Sequence, residues 1–183
     1  MEGANAQGGS ASGRHGSQRV VGSSTRSIAG WSSVAIGLAA LLGHRVVENF
    51  HHPFMQPNIA AFWRGWHVSL TRFATEYVYR PIAAHFRSHL VAVFATMAAI
   101  ATWHELSGRY LAWAAYHALG LAVHRRFAAW RGTDDVANQG VFAKVVSTVV
   151  TFVFVILGFT FTRSADLGAA ADAFLLMVEG GWL

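Results

Sequence analysis

Val145-Val146-Ser147-Thr148-Val149-Val150-Thr151-Phe152-Val153-Phe154-Val155-Ile156-Leu157-Gly158-Phe159-Thr160-Phe161-Thr162 runs for eighteen residues without a charged side chain, and Arg163 closes it. As a helix it covers roughly 27 Å at about 1.5 Å per residue, close to the ~30 Å hydrocarbon core of a bilayer. The composition agrees. Hydrophobic residues make up 54% of the 183 and charged residues 13%, where a soluble domain carries about 25% charged residues. Seven tryptophans suit the membrane–water interface. The chain reads as one all-α, multi-pass membrane domain.

The net charge of +5 does not point to nucleic acid. The basic residues sit at segment ends and form no stripe on a polar face. The absence of cysteine excludes disulfides, thiolate–zinc sites and a cysteine nucleophile. Residues 1–30 are rich in Gly, Ser and Ala, with Arg14, Arg19 and Arg26 interspersed. They read as a disordered basic tail without the apolar core of a signal peptide. The folded portion is expected over 31–183.

Six apolar segments follow the tail. Trp31–Leu42 is too short to cross a bilayer and reads as interfacial, re-entrant or the end of a longer span. His51, His52, Pro53 and Pro57 mark an irregular loop. In Ala60–Tyr79 the residues Phe62, Trp63, Trp66, Leu70, Phe73, Ala74 and Tyr77 fall within an arc of roughly 120° at helical spacing. That pattern predicts one amphipathic interfacial helix, ending at or just before Pro81. Leu90–Leu106 and Tyr110–Val123 read as short, partly re-entrant helices. Val145–Thr162 is the clearest span, and Ala165–Val178 a final helix. The basic cluster His124, Arg125, Arg126 and Arg131, with Lys144, predicts a cytoplasmic loop and places the turn near Gly108 on the other side.

Two Trp-His pairs carry the chemistry. Trp103-His104 ends a run of fourteen uncharged residues, Leu90 to Trp103, and Trp66-His67 ends Phe62-Trp63-Arg64-Gly65-Trp66-His67. An ionisable group at membrane depth is costly and is a functional candidate by default. The plain alternative is a packing histidine, which is how His117 reads, bonded to a neighbouring helix.

Several stretches, in order, resemble the membrane-bound O-acyltransferase family. Glu48-Asn49-Phe50-His51-His52-Pro53-Phe54 is similar to its Glu-Asn-Phe-Asn-Arg-Pro-Phe/Tyr element. Phe62-Trp63-Arg64-Gly65-Trp66-His67-Val68-Ser69-Leu70 resembles Phe-Trp-Arg-Arg-Trp-His-Ile-Ser-Leu. Tyr77-Val78-Tyr79-Arg80-Pro81-Ile82 resembles Tyr-Val/Leu-Tyr-Ile-Pro-Leu. Trp103-His104 falls where the family has Leu-Trp-His-Gly, and Trp113-Ala114-Ala115-Tyr116-His117-Ala118 is similar to Trp-Gly-x-x-His-Gly. Ser33–Leu38 and Gly158–Arg163 resemble an early Asp-Ile-Ala-Ile-Gly-Leu and a late Trp-Val-Phe-Phe-Arg element. The likeness is nearest to the bacterial branch that acetylates alginate or transfers D-alanine to teichoic acids. The departures are Gly65 for arginine, Glu105 for glycine, Thr102 for leucine and Ser33 for aspartate. Family members are longer, so the likeness is to their C-terminal part.

The resemblance implies acyl transfer, acetyl first among the candidates, from a thioester or carrier-bound donor to a hydroxyl of a polysaccharide or envelope glycan. It implies His104 as catalytic base and His67 as the second active histidine. A bacterial inner membrane, a glycan acceptor and a carrier or periplasmic partner protein follow from the same likeness. The acyl-CoA or acyl carrier is a cosubstrate, with no tightly bound cofactor or metal. A neutral imidazole suits proton removal from a hydroxyl, Trp66 and Trp103 suit exclusion of water, and Arg64, Arg72 or Tyr79 suit stabilisation of the oxyanion. Glu105 either pairs with Arg109 four residues on or acts on His104. The rival readings are a truncated, non-catalytic membrane fragment or scaffold, and a histidine-based metal or haem protein built on His51-His52 or His85 and His89.

Overall fold

A computed structural model describes residues 26–132 and 140–180, so most of the expected tail lies outside the described residues. The fold is all-helical. In chain order it has α1 (Arg26–Leu41), a 3-10 turn (Pro53–Met55), α2 (Ile59–Gly65), α3 (Val68–Ala74), a π turn (Thr75–Tyr79), α4 (Arg80–Phe86), α5 (His89–His104), α6 (Gly108–Arg131), α7 (Val141–Arg163) and α8 (Leu167–Glu179). Helix α1 begins five residues before the expected segment, at Arg26. It packs against none of the other described helices.

Helices α5 and α6 form the central hairpin. Ser88 starts α5, its hydroxyl accepting from the Val91 N–H at 3.4 Å. The helix stops at His104 rather than Leu106, because Glu105 turns to extended backbone. After the short Glu105–Ser107 connection the chain returns antiparallel, and Arg125 near the far end of α6 meets His89 at the start of α5. Buried small residues let the helices approach: Ala92 and Ala101 on α5, Ala114 and Ala118 on α6. Small side chains of this kind favour close helix packing in a membrane.

Helix α6 extends well past the expected Val123. Its 24 residues take in the whole basic cluster. Basic side chains at a helix C-terminus face the negative end of the helix dipole. Gly132 then ends the helix with φ 70°, a left-handed conformation that glycine adopts without steric cost.

Helix α7 is the one described helix long and apolar enough to cross a membrane, and only 11% of its apolar window is buried within the chain. A core helix of a soluble protein would be mostly covered, whereas α7 exposes Val145, Val149, Val150, Phe152 and Val153. It meets α6 through two reciprocal notches. A side chain at Gly120 of α6 would collide with the Phe154 ring of α7, and one at Gly158 of α7 would lie 2.7 Å from His117 Nε2 and 3.1 Å from the Tyr116 ring of α6. The Tyr116 hydroxyl donates to the Phe154 carbonyl at 2.9 Å.

The core gathers Phe62 and Trp63 of α2, Val93, Met97 and Ile100 of α5, Trp113 of α6 and Val155 of α7.

Candidate active site

The predicted single helix over Ala60–Tyr79 is broken at Trp66-His67. Trp66 is extended, and His67 sits at φ 45°, ψ 56° in the left-handed region. A non-glycine residue there costs on the order of 1–3 kcal/mol and persists only where its surroundings hold it. The Asn49–Pro53 loop does so. His51 N–H donates to the Gly65 carbonyl at 2.9 Å, and Val68 N–H to the Asn49 carbonyl at 3.0 Å. Ser69 N–H donates to Asn49 Oδ1 at 2.9 Å, and Thr71 Oγ1 to the Trp66 carbonyl at 3.0 Å. Each such bond contributes about 0.5–1.5 kcal/mol net, enough together to offset the strain. Gly65 is required by the same docking, since a Cβ would lie 2.8 Å from the His51 carbonyl oxygen.

The break redirects the apolar arc. Phe62, Trp63 and Ala74 are buried, while Phe73 and Tyr77 are exposed and pack on each other with ring centroids 4.8 Å apart. Pro81 does not end the run either. It stands in the first turn of α4, directly after the π turn, where Arg80 N–H reaches back to the Thr75 carbonyl. Proline lacks an N–H and crowds the carbonyl four residues earlier; the wider π turn opens the helix at that point.

The two Trp-His pairs meet. The His67 ring lies edge-on to Trp103 at 5.9 Å, and Trp103 edge-on to His104 at 4.7 Å. The imidazoles are near enough to act on each other electrostatically. His67 is half-buried, and its Nδ1 is buried without a hydrogen-bond partner among the described residues. His104 stacks on Tyr110 at 5.8 Å and lies edge-on to Trp113 at 6.3 Å. His104 is exposed at the last turn of α5, and Trp103 is 61% exposed, because the helix stops there. Trp66 packs instead into a ring cluster with Phe50, Phe54, Phe62 and Phe159.

Glu105, beside His104, is held by Arg109, whose Nη2 and Nε donate to its two carboxylate oxygens. Arg109 Nη1 also donates to the Thr162 carbonyl at 3.2 Å and to the Ser164 carbonyl. One guanidinium thus clasps the α5–α6 turn to the α7–α8 turn. Arg109, and a lesser bond from Ser107, keep the Glu105 carboxyl below its usual range. The carboxylate is therefore committed to the clasp.

Two of the three oxyanion candidates share one cavity. Arg64 and Tyr79 line a cavity of about 310 Å³ between α2, α3, the π turn and α5, together with Trp63, Thr71, Thr75 and Thr96. The threonine hydroxyls donate to backbone carbonyls of Trp66, Thr71 and Ala92. The Tyr79 hydroxyl bonds His89 Nδ1 at 2.7 Å. His89 opens the helix that His104 closes, so by helix rise Tyr79 stands roughly 22 Å from His104. Arg72 is exposed on α3. His85 and His89 do not act as a pair, His89 being bonded to Tyr79, and no three His, Asp or Glu side chains converge among the described residues.

His117 is 1% exposed and boxed by Trp63, Trp113, Tyr116 and Phe154 at 5.0–5.6 Å. The expected hydrogen bond to a neighbouring helix is absent among the described residues, and its ring packs against Gly158 instead. The sequence reading also missed Asn49 and Tyr110 as parts of the site, whereas the pairing of Glu105 with Arg109 is as the spacing suggested. Asn49 carried a signal, since it lies within one of the quoted motifs. Tyr110 carried none beyond its nearness to the turn.

The membrane-bound O-acyltransferase family matches residues 23–165. The chain is 31% identical over 155 residues to the probable alginate O-acetylase of Pseudomonas aeruginosa, covering 83% of this chain and 28% of that protein. It is 28% identical over 155 residues to the peptidoglycan O-acetyltransferase of Helicobacter pylori, covering 81% and 28%. It is 27% identical over 141 residues to the teichoic acid D-alanyltransferase of Bacillus subtilis, covering 72% and 36%. The chain thus spans about a third or less of the length of several curated relatives it matches.

Proposed function

The chain belongs to the membrane-bound O-acyltransferase family, and from that premise we propose that it carries the histidine centre for transfer of an acyl group, acetyl foremost, to a hydroxyl of a polysaccharide or envelope glycan. The observation that carries this reading is the convergence of His67 and His104 on Trp103. The relatives' names supply the reaction class: two are O-acetylating enzymes and one a D-alanyltransferase, each named for a cell-envelope or exopolysaccharide acceptor.

In this reading the His104 imidazole takes the acceptor's hydroxyl proton as the oxygen attacks the carbonyl carbon of a thioester donor. A carbon–oxygen bond forms and the carbonyl becomes an oxyanion. Its collapse breaks the carbon–sulfur bond, and the departing thiolate takes the proton back from the imidazolium. The imidazole returns neutral, and no enzyme-bound ester is needed. His67 orders Trp103 against the His104 ring. Tyr79 is bound to His89 at the far end of α5, so the oxyanion is left to groups nearer His104. A thioester must be kept from water. With Trp103 and His104 both exposed, the bound substrates or further protein provide that cover.

The domain sits in a bacterial inner membrane as a multi-pass protein, with α7 as its surest span. The basic end of α6 meets the start of α5, away from His104. Positive charge favours the cytoplasmic side, which puts the histidine centre at the opposite surface, toward the envelope.

Mass spectrometry of envelope glycans from cells with and without the gene tests the reading. Loss of ester-linked acyl groups on deletion, restored by wild type and not by His104→Ala, is the expected result. Unchanged acylation on deletion would sink it.

A further inference from the structure

The basic end of the hairpin carries a second surface, unconnected with the histidines. Helix α6 has 24 residues against 16 in α5, so it overhangs its partner by roughly 12 Å. The overhang is where Arg125, Arg126 and Arg131 lie. Lys144, in the first turns of α7, belongs to the same end, and the stretch 124–144 sets these four cations against Asp134 and Asp135. Among these cations stand large apolar side chains: Trp130 is 80% exposed and Phe127 49%. Arg131 lies over the Phe127 ring at 5.6 Å. Val123, Arg126, Phe127, Ala129 and Trp130 line an open groove of about 490 Å³.

We propose that this groove binds the headgroup and upper acyl chain of an anionic phospholipid. The charge selects an anion, since several guanidinium groups offer hydrogen-bond donors to phosphate oxygens. The apolar content selects a lipid over a soluble anion or an acidic protein. Trp and Phe beside Arg at the end of a membrane helix suit the headgroup level, where rings face the acyl region and cations face phosphate. Arg126 and Arg131 hold the phosphate, and Phe127 and Trp130 flank the chain below it.

The full chain, reconstituted in phosphatidylcholine nanodiscs doped with phosphatidylglycerol of the same acyl composition, can be released into a native mass spectrometer and its retained lipids counted. Wild type is expected to retain phosphatidylglycerol in preference to phosphatidylcholine. Arg126→Gln and Arg131→Gln should each lower that preference by roughly fivefold, and Trp130→Ala should lower retention of both lipids. An Arg126→Gln/Arg131→Gln double variant with undiminished preference would overturn the proposal. So would displacement of the retained lipid by inorganic phosphate alone, which would make the groove a phosphate site. None of these readouts depends on acyl transfer.

Discussion

Asn49 caps a helix that begins nineteen residues after it: its Oδ1 accepts the Ser69 N–H at 2.9 Å, while its own carbonyl accepts from Val68 at 3.0 Å. The residue at the cap position, His67, makes no such bond with its side chain. Capping from a distance frees the imidazole to face Trp103. Asn49→Ala should therefore cost about 0.5–2 kcal/mol, the usual loss for a removed N-cap, read as lowered thermal unfolding in detergent. It should also depress acyl transfer, while Asn49→Asp, which keeps the acceptor, should retain both.

His67 separates stability from activity. Its φ of 45° favours glycine, so His67→Gly should leave the melting temperature unchanged or raise it. Glycan acylation should nevertheless fall, because the imidazole is gone. A glycine variant with full acylation would leave His67 a backbone device only.

His104→Ala should reduce acylation by about 10²–10⁴-fold, the range for a lost general base, with membrane insertion intact. The check is ester release from purified glycan, alongside carbonate extraction of membranes. Because His104 is exposed, truncation leaves no cavity, and a folding defect would count against this account.

The Arg109 clasp predicts a dependence on acid. The Glu105 carboxyl is held below its usual 4.5 by Arg109. A group lowered in the folded state stabilises it above the unfolded value, and that contribution fades as pH falls through the lower, folded value. Wild type and Glu105→Gln should thus differ in unfolding temperature near neutral pH and converge as the pH falls through the lowered, folded value. Arg109→Gln should cost more than Glu105→Gln at every pH, since it also removes the bonds to Thr162 and Ser164.

Gly120→Ala and Gly158→Ala should each destabilise the α6–α7 pair by about 1–3 kcal/mol, the usual range for overpacking. At Gly158 the added carbon would meet His117 Nε2 at 2.7 Å. His117→Ala combined with Gly158→Ala should recover part of that loss in detergent melts.

The helical segments were legible because uncharged runs such as Val145–Thr162 and Leu90–Trp103 leave few alternatives. The family was legible in the ordered motifs. The break at Trp66-His67 was not, because the spacing of Phe62, Trp63, Leu70 and Phe73 is continuous. What interrupts it is hydrogen bonding from Asn49 and His51, which periodicity does not register. The reach of α6 was hidden for a related reason: arginines that look like a loop by hydropathy are good helix formers. The resemblance singled out His67 and His104, but their pairing through Trp103 was visible only in the structure. The exposure of His104 followed from where α5 stops, a decision made by the Glu105 backbone.

The two glycine notches act as a latch. Phe154 occupies one and the His117–Tyr116 pair the other, so α6 and α7 cannot slide past each other by a turn without driving a ring into a neighbouring backbone. α6 is in turn joined to α5 by the short Glu105–Ser107 link. The depth of His104 relative to the membrane surface is therefore dictated by α7, a helix that contributes no residue to the proposed chemistry.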